Sequence, residues 1–329
     1  MATNRLLLVI AVVLVAGALR VAWPVAMPVI AALVIVAAVW PVKSWLDRIS
    51  PPWLSYVGTM AALVVVSVAF IGGVWMAASA VVTSFAGNQV RFNKIYDSLV
   101  TWRDGLGIEL SGQQTYAALL ELARTLLANT YSVLVYLGFI LLLVILALPE
   151  VSVARRFLRE TLSGADRHEL LDAIDQVAVK VRRYLATTFL TSVLTGVAAW
   201  LWSLAVGLEL ALVWGVLNFL LNFIPLVGNI VGSIPPALYA VLQFQNTTMP
   251  LLVLAGFIVF QVGISNFIYP ALEGRRLSLS PFAIMVALAF WTWMWGIAGA
   301  LLAIPLTASL VIAADHFPAT KWLARLAAR

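Results

Sequence analysis

Long apolar runs alternate with shorter polar connections along the chain, which is typical of a protein that crosses a membrane several times. A helix needs about 20 apolar residues to cross the hydrocarbon core of a bilayer. The runs are continuously apolar, which favours helices over the alternating strands of an outer-membrane barrel. Runs close to the required length predict an all-α polytopic membrane protein with six full transmembrane helices, at 6–21, 25–40, 57–82, 131–148, 186–206 and 250–269.

A further apolar stretch, 210–243, is broken by prolines, glycines and asparagines within LNFLLNFIPLVGNIVGSIPPALYAVL. Such irregular backbone is tolerated at membrane depth only where protein buries it or where it lines a polar cavity. Ser233 followed by Pro235 and Pro236 is typical of a helix start. We therefore predict a helical hairpin whose turn lies near 227–233. It either lines a transporter's binding site or is a kinked pair of packing helices without a ligand.

A second interrupted stretch, 282–314, is too long for one simple crossing at about 1.5 Å per residue. Gly296 and Gly299 interrupt it and a proline follows, as in the first stretch. We predict a second re-entrant hairpin, which returns to the side of the membrane that it entered. The fifth helix with the first hairpin, and the sixth helix with the second, then form an inverted repeat, a common plan of transporters.

Two polar segments separate these apolar regions. In 83–130, apolar residues recur at steps of three and four, which predicts amphipathic helices on the membrane or against the bundle. The most charged segment, 149–185, is either a gating arm or a solvated amphipathic helix that sets topology. The predicted regions are three N-terminal transmembrane helices at 1–82, an amphipathic extracytoplasmic insert at 83–130, the fourth transmembrane helix at 131–148, a charged cytoplasmic segment at 149–185, a transport core at 186–314 and a basic cytoplasmic tail at 315–329.

Composition and charge support this layout. Of the 329 residues, 63% are hydrophobic and 10% are charged, whereas a soluble domain is about half apolar and about a quarter charged. The net charge of +6 does not indicate nucleic-acid binding, because the basic residues flank membrane segments. With both termini in the cytoplasm, most of the 20 lysine and arginine residues lie on the cytoplasmic side, as the positive-inside rule expects.

The sequence does not indicate an enzyme. The chain has no cysteine, which excludes a disulfide and a thiolate metal site. No HExxH, GxSxG or paired-acid motif lies in a predicted transmembrane helix. We therefore expect a non-catalytic membrane protein without a metal or cofactor.

Three motifs stand out in the interrupted part of the chain: Asn222 to Pro235; Asn266 to Pro270 with Gly274, Leu277, Leu279 and Pro281; and Trp295 to Gly299 with Ala303, Ile304, Pro305 and Leu306. They resemble the motifs of the autoinducer-2 exporter family of permeases, whose signature reads FIPxVGxxxGxIP. The resemblance covers most of the chain and implies a bacterial or archaeal transporter, here in the bacterial inner membrane and assembled as a homo-oligomer. It implies export of a furanone-type signal, or, as in some members, sodium or lithium/proton antiport.

Neutral polar residues near the two hairpins are the candidates for a pathway. Such groups suit a small polyhydroxylated solute or a dehydrated cation, although buried amides also join helices through hydrogen bonds worth about 0.6–2 kcal/mol. A small polar solute is the leading substrate, with antiport and a channel as alternatives. The pathway candidates are Asn218, Asn222, Pro225, Gly228, Asn229, Gly232, Ser233, Pro235, Gln261, Asn266, Gly296, Gly299 and Pro305.

Charged and aromatic residues lie at the predicted membrane edges. The acids are interfacial rather than mid-membrane, so we interpret them with two neighbouring arginines as a coupling group or latch. The latch candidates are Glu273, Arg275, Arg276 and Glu209. Trp291, Trp293 and Trp295 either stack on a solute or anchor the chain at the membrane interface.

Overall fold

The computed structural model describes residues 14–86, 121, 124–125, 127–128, 130–161, 164–224, 227–244, 246, 248–273 and 280–316. A helical segment at 14–21 precedes α1, and the π-helical turn Ile264–Ile268 joins α7 to α8. The helices are α1 (Trp23–Leu46), α2 (Pro52–Ala86), α3 (Thr130–Thr161), α4 (Gly164–Ala205), α5 (Ala211–Leu221), α6 (Val227–Phe244), α7 (Thr248–Gly263), α8 (Tyr269–Glu273) and α9 (Pro281–His316).

Some predicted features lie outside the described residues. These are the first half of the predicted helix 6–21, most of the insert 83–130, and nearly all of the tail 315–329. Among the candidate residues, Pro225, Arg275 and Arg276 lie outside, as do the side chains of Asn229 and Glu273.

Six helices in the described part of the chain are long and apolar enough to cross a membrane. This finding confirms the prediction of an all-helical protein that passes the membrane several times. The six segments are Trp23–Leu46, Pro52–Thr83, Ser132–Thr161, His168–Ala205, Thr248–Leu272 and Phe282–Asp315. One non-helical residue, Ala22, separates the helical segment 14–21 from α1.

Pro149 does not end the fourth predicted helix, because α3 continues through it to Thr161. A proline inside a helix lacks the N–H that would bond the carbonyl four residues earlier. That carbonyl belongs to Ile145, and it accepts a hydrogen bond of 2.7 Å from the Tyr56 hydroxyl instead. The sequence-based boundary is therefore wrong because a distant side chain satisfies the backbone that the proline leaves unpaired.

The chain divides into two compact units, each with its own apolar core. The first unit comprises 1–64, 136–186 and 275–329, and the second comprises 65–135 and 187–274. The core of the first contains Val144, Leu148 and Trp291, while that of the second contains Trp214, Val253 and Phe257. The first interrupted stretch thus lies in the second unit, and the second stretch lies in the first.

In the second unit, α5 and α6 pack side by side and run in opposite directions. The Asn218 amide bonds the Gly232 carbonyl at 3.1 Å, and nearer the open end the Trp214 and Tyr239 rings lie 5.5 Å apart. The turn lies between Leu221 and Val227, earlier than predicted. We call this pair the first hairpin.

The predicted helix start at Ser233 is wrong, because Pro235 and Pro236 lie inside α6. Pro236 has no N–H for the carbonyl of Gly232, four residues earlier. That carbonyl receives the Asn218 side chain from across the hairpin. As at Pro149, a side-chain donor lets the helix continue through the proline.

In the first unit, α9 consists of two arms, 281–294 and 297–316, separated by non-helical residues. Trp295 has φ −133° and Gly296 has φ 59°, a left-handed conformation that favours glycine. The Trp291 indole donates to the Thr307 hydroxyl at 3.0 Å. Sixteen residues of continuous helix would separate the two by about 24 Å, so the chain folds back on itself. We call these arms the second hairpin.

Candidate functional site

The second unit brings together part of the predicted pathway. Asn218, Gly232 and Gln261 form a contact between three helices, which we call the amide cluster. The Asn218 side chain donates to the carbonyls of Trp214 at 2.9 Å and Gly232 at 3.1 Å. Its oxygen accepts from Gln261 at 3.0 Å. Asn218 is 1% exposed and Gln261 is 5% exposed. Both amide protons of Asn218 are thus engaged, and the cluster joins α5, α6 and α7.

Asn222 has a different setting, at the C-terminal end of α5 where the first hairpin turns. It is half-buried, and its amide donates to the Ser192 hydroxyl at 3.0 Å. The same nitrogen lies 3.5 Å from the Thr191 hydroxyl. Asn222 therefore joins the turn of the hairpin to α4.

A close helix crossing sets that contact. A Cβ on Gly196 of α4 would lie 2.9 Å from the carbonyl oxygen of Gly215 on α5, and a Cβ on Gly215 would lie equally close to the oxygen of Gly196. Only glycines allow the two backbones to approach so closely. The crossing is one helical turn from Ser192, and it holds α4 beside the end of α5.

A buried row of hydroxyl groups lies on α4 and was not among the predicted site residues. Thr188, Ser192, Thr195 and Ser203 are 4%, 0%, 2% and 0% exposed. The hydroxyls of Thr188, Thr195 and Ser203 have no hydrogen-bond partner among the described residues. These residues are four, three and eight positions apart in an apolar helix. Such steps place residues on one face, so the sequence alone could have predicted a row of hydroxyls.

Glycine is required at the turn of each hairpin. A Cβ on Gly228 would lie 1.9 Å from the carbonyl oxygen of Leu221, and one on Gly299 would lie 1.8 Å from that of Trp291. The predicted importance of these glycines therefore has a steric basis on the backbone. Of the other candidates, Ser233 and Pro305 are buried in α6 and α9, and Pro235 is half-buried.

Asn266 does not join the amide cluster in this structure. It is exposed, and its amide donates to the Val262 carbonyl of its own helix at 3.1 Å. It lies in the π-helical turn Ile264–Ile268. Pro270 explains that turn, because it removes the N–H that would otherwise bond the Asn266 carbonyl.

Glu209 closes the open end of the first hairpin. Its carboxylate accepts from the Tyr239 hydroxyl at 2.8 Å, and its backbone N–H donates to the Gln243 side chain at 2.8 Å. The Gln243 amide donates in turn to the Gly207 carbonyl at 2.7 Å. Glu209 therefore ties α6 to the connection between α4 and α5.

The tryptophans of the first unit have two different roles. Trp291 and Trp295 are buried, and they donate to Thr307 and to the Leu19 carbonyl respectively. Trp293 is 52% exposed, with the Arg20 guanidinium 4.1 Å from its ring centre. Buried indoles with partners pack the hairpin, whereas an exposed tryptophan beside a cation is typical of a membrane interface.

Comparison with known proteins identifies relatives of this chain. The model of a family described as "AI-2E family transporter" matches residues 7–319. AI-2 transport protein TqsA of Escherichia coli strain K12 is 37% identical over 148 residues, 45% of this chain and 43% of that protein. YhhT of the same strain is 39% identical over 127 residues, 39% of this chain and 36% of that protein. The chain thus spans less than half the length of these two relatives.

A third relative matches over a longer region. YrrI of Bacillus subtilis strain 168 is 24% identical over 314 residues, which is 88% of this chain and 86% of that protein.

Proposed function

Since the chain belongs to the AI-2E transporter family, we propose that it exports a small, uncharged polar solute across the membrane through the second unit. The observation that carries this proposal is the turn of the first hairpin. There the chain is interrupted between α5 and α6, and Asn222 donates to the hydroxyl of Ser192 on α4. Transporters build their sites from such interrupted helices.

The chemistry of the buried groups supports a neutral solute. Among the described residues, the buried polar groups are hydroxyls, carboxamides and the indole N–H groups of buried tryptophans. Such groups exchange hydrogen bonds with a solute but do not titrate near neutral pH. A proton-coupled antiporter depends instead on a membrane carboxylate that gains and loses a proton. We therefore favour solute export over the antiporter alternative.

We further propose that both hairpins are re-entrant and belong to an inverted repeat. α5 has 11 residues and is about 16 Å long, against a hydrocarbon core of about 30 Å. The first arm of the second hairpin, 281–294, is about 21 Å long on the same scale. The first arm of each hairpin is therefore too short to cross the core by itself. Since the chain reverses after that arm, each hairpin returns to the side that it entered. This layout leaves both termini in the cytoplasm of a bacterial inner membrane, and we expect a homo-oligomer.

The name of TqsA makes autoinducer-2 the first solute to test. Efflux of autoinducer-2 from proteoliposomes should depend on the protein and fall strongly with Asn222→Ala. The matched control is Asn246→Ser, which keeps a capping oxygen at an exposed loop position where the Asn246 side chain accepts from the Met249 N–H. Imposed sodium and proton gradients then identify any coupling. A cation-driven change of internal pH without solute efflux would overturn the proposal in favour of antiport.

A further inference from the structure

A row of hydroxyl side chains runs along one face of α4 in the second unit. Thr188, Ser192 and Thr195 follow one another at steps of four and three, so they lie on one face of the helix. Ser203 continues the same face beyond Ala199, which belongs to the apolar core of the unit. From Thr188 to Ser203 the row is about 22 Å long, most of the thickness of a bilayer core.

These hydroxyls differ from an ordinary buried threonine. A threonine inside a membrane helix usually donates to the carbonyl of the preceding turn, as Thr191 does to Thr187 at 2.9 Å. Thr188 and Thr195 are almost completely buried, yet their hydroxyls have no partner within the described part of the chain. Buried polar groups in proteins are otherwise paired with protein, water or ligand.

The row also meets Asn222, a half-buried amide at the turn of the hairpin. Asn222 reaches Ser192, the central hydroxyl, while the amide cluster engages the protons of Asn218 elsewhere. Hydroxyls can both donate and accept, and an amide adds a donor and an acceptor at fixed positions. Such a set matches a molecule that carries several hydroxyl groups.

We propose that Thr188, Ser192, Thr195 and Asn222 form a binding site for a neutral polyhydroxylated solute. The site rests on the proposed transport function and assigns the solute-contacting wall to α4. The apolar core around Ala199 separates it from Ser203 and forms the barrier that the solute passes when the unit changes conformation. The amide cluster holds the hairpin in place and does not contact the solute.

The absence of cysteine allows a direct test of accessibility. Thr188, Ser192 and Thr195 are buried in this conformation, and the transport cycle should open them to water. Cysteines at these positions should then react with a small charged methanethiosulfonate in proteoliposomes at least about tenfold faster than Leu190→Cys and Leu194→Cys, because the thiolate forms only where water reaches it. Leu190 and Leu194 lie on the same helix and are exposed apolar residues. Equal rates at all five positions, or unreactive row positions, would overturn the site.

Isosteric variants test solute binding separately. Thr188→Val and Thr195→Val each replace a hydroxyl with a methyl group of the same shape. The double variant should lower autoinducer-2 efflux at least about tenfold, because the bound solute loses two hydrogen bonds. Thr→Ser variants at both positions should restore it. The control is Thr59→Val, since Thr59 is a buried threonine of the first unit whose hydroxyl donates to the Ser55 carbonyl.

The outcomes distinguish this proposal from the function on which it rests. Wild-type efflux that the valine variants leave unchanged would overturn the site and leave the proposed function standing. A wild-type protein without efflux would overturn the proposed solute, while the periodic cysteine reactivity would still show that a change of conformation opens this face of α4 to water.

Discussion

The two hairpins reverse the chain in a similar way but are held together by different side chains. Each reverses the chain at a short non-helical turn, and each places a glycine directly against a backbone carbonyl, Gly228 against Leu221 and Gly299 against Trp291. The first hairpin is then held by carboxamides, with Asn218 bonded to Trp214, Gly232 and Gln261. The second is held by indoles, with Trp291 bonded to Thr307.

This difference predicts which hairpin is more sensitive to the loss of a single side chain. A carboxamide donates twice and accepts as well, so a network of amides loses much when any one member is removed. An indole donates once and otherwise contributes apolar packing. We infer that the loss of one amide destabilises the first hairpin more than the loss of one indole destabilises the second.

The largest expected effects come from the shared feature of the two hairpins. Gly228→Ala and Gly299→Ala place a Cβ within 2 Å of a backbone carbonyl that cannot move aside. Each should cost about 3 kcal/mol or more and reduce folded protein severely. The measurement is the yield of monodisperse protein by fluorescence-detected size-exclusion chromatography.

Matched controls exist in both units for these glycines. A Cβ on Gly263 in the second unit, or on Gly138 in the first, meets no atom within 4 Å. Gly263→Ala and Gly138→Ala should therefore fold normally. If Gly299→Ala folded as well as Gly138→Ala, the second hairpin would not have the same tight turn as the first.

A smaller effect tests the amide cluster and its proline. Asn218→Leu leaves the Gly232 carbonyl unpaired, because Pro236 supplies no N–H, and should cost about 2 kcal/mol or more. Pro236→Ala supplies that N–H and should recover part of the loss. Reversible unfolding in SDS of the two single variants and the double variant measures the coupling. Purely additive effects would contradict the role assigned to Asn218.

The same contacts explain how far the sequence predicts the structure. Apolar runs locate the crossing helices because run length depends only on local composition, as at Thr248–Leu272. The boundaries at Pro149 and Ser233 were wrong because Tyr56 and Asn218 satisfy the freed carbonyls from 89 and 14 residues away in the chain. No local pattern reveals such a partner.

The candidate site was predicted in part. Asn218 and Gln261 do meet, and Asn222 does lie at the turn of the first hairpin. The predicted site was limited to the broken helices and omitted α4, although the spacing of its hydroxyl residues was visible in an otherwise apolar segment. Asn266 matched a motif, yet its partner depends on the π-helical turn that Pro270 imposes.

In the second hairpin, loss of the indole hydrogen bond should lower the free energy of unfolding only slightly. Trp291→Phe keeps an aromatic ring in the core and removes the single bond to Thr307, which should cost about 1 kcal/mol. Thr307→Val should cost a similar amount. SDS unfolding of both variants gives the values, and a loss as large as that of Asn218→Leu would remove the contrast between the hairpins.

The smallest expected effect concerns Trp291 and Pro305, which both lie in the second hairpin. The coupling free energy between substitutions at these two positions should be near zero. Pro305 is buried in α9, but the Trp291 indole donates to the Thr307 hydroxyl rather than to a carbonyl that this proline frees. A new N–H from Pro305→Ala therefore cannot replace the lost indole bond. The effects of Trp291→Phe and Pro305→Ala should add within about 0.5 kcal/mol, as for independent sites. If Pro305→Ala instead rescued Trp291→Phe, as Pro236→Ala should rescue Asn218→Leu, both hairpins would depend on one mechanism, in which a side chain replaces the hydrogen bond that a proline removes.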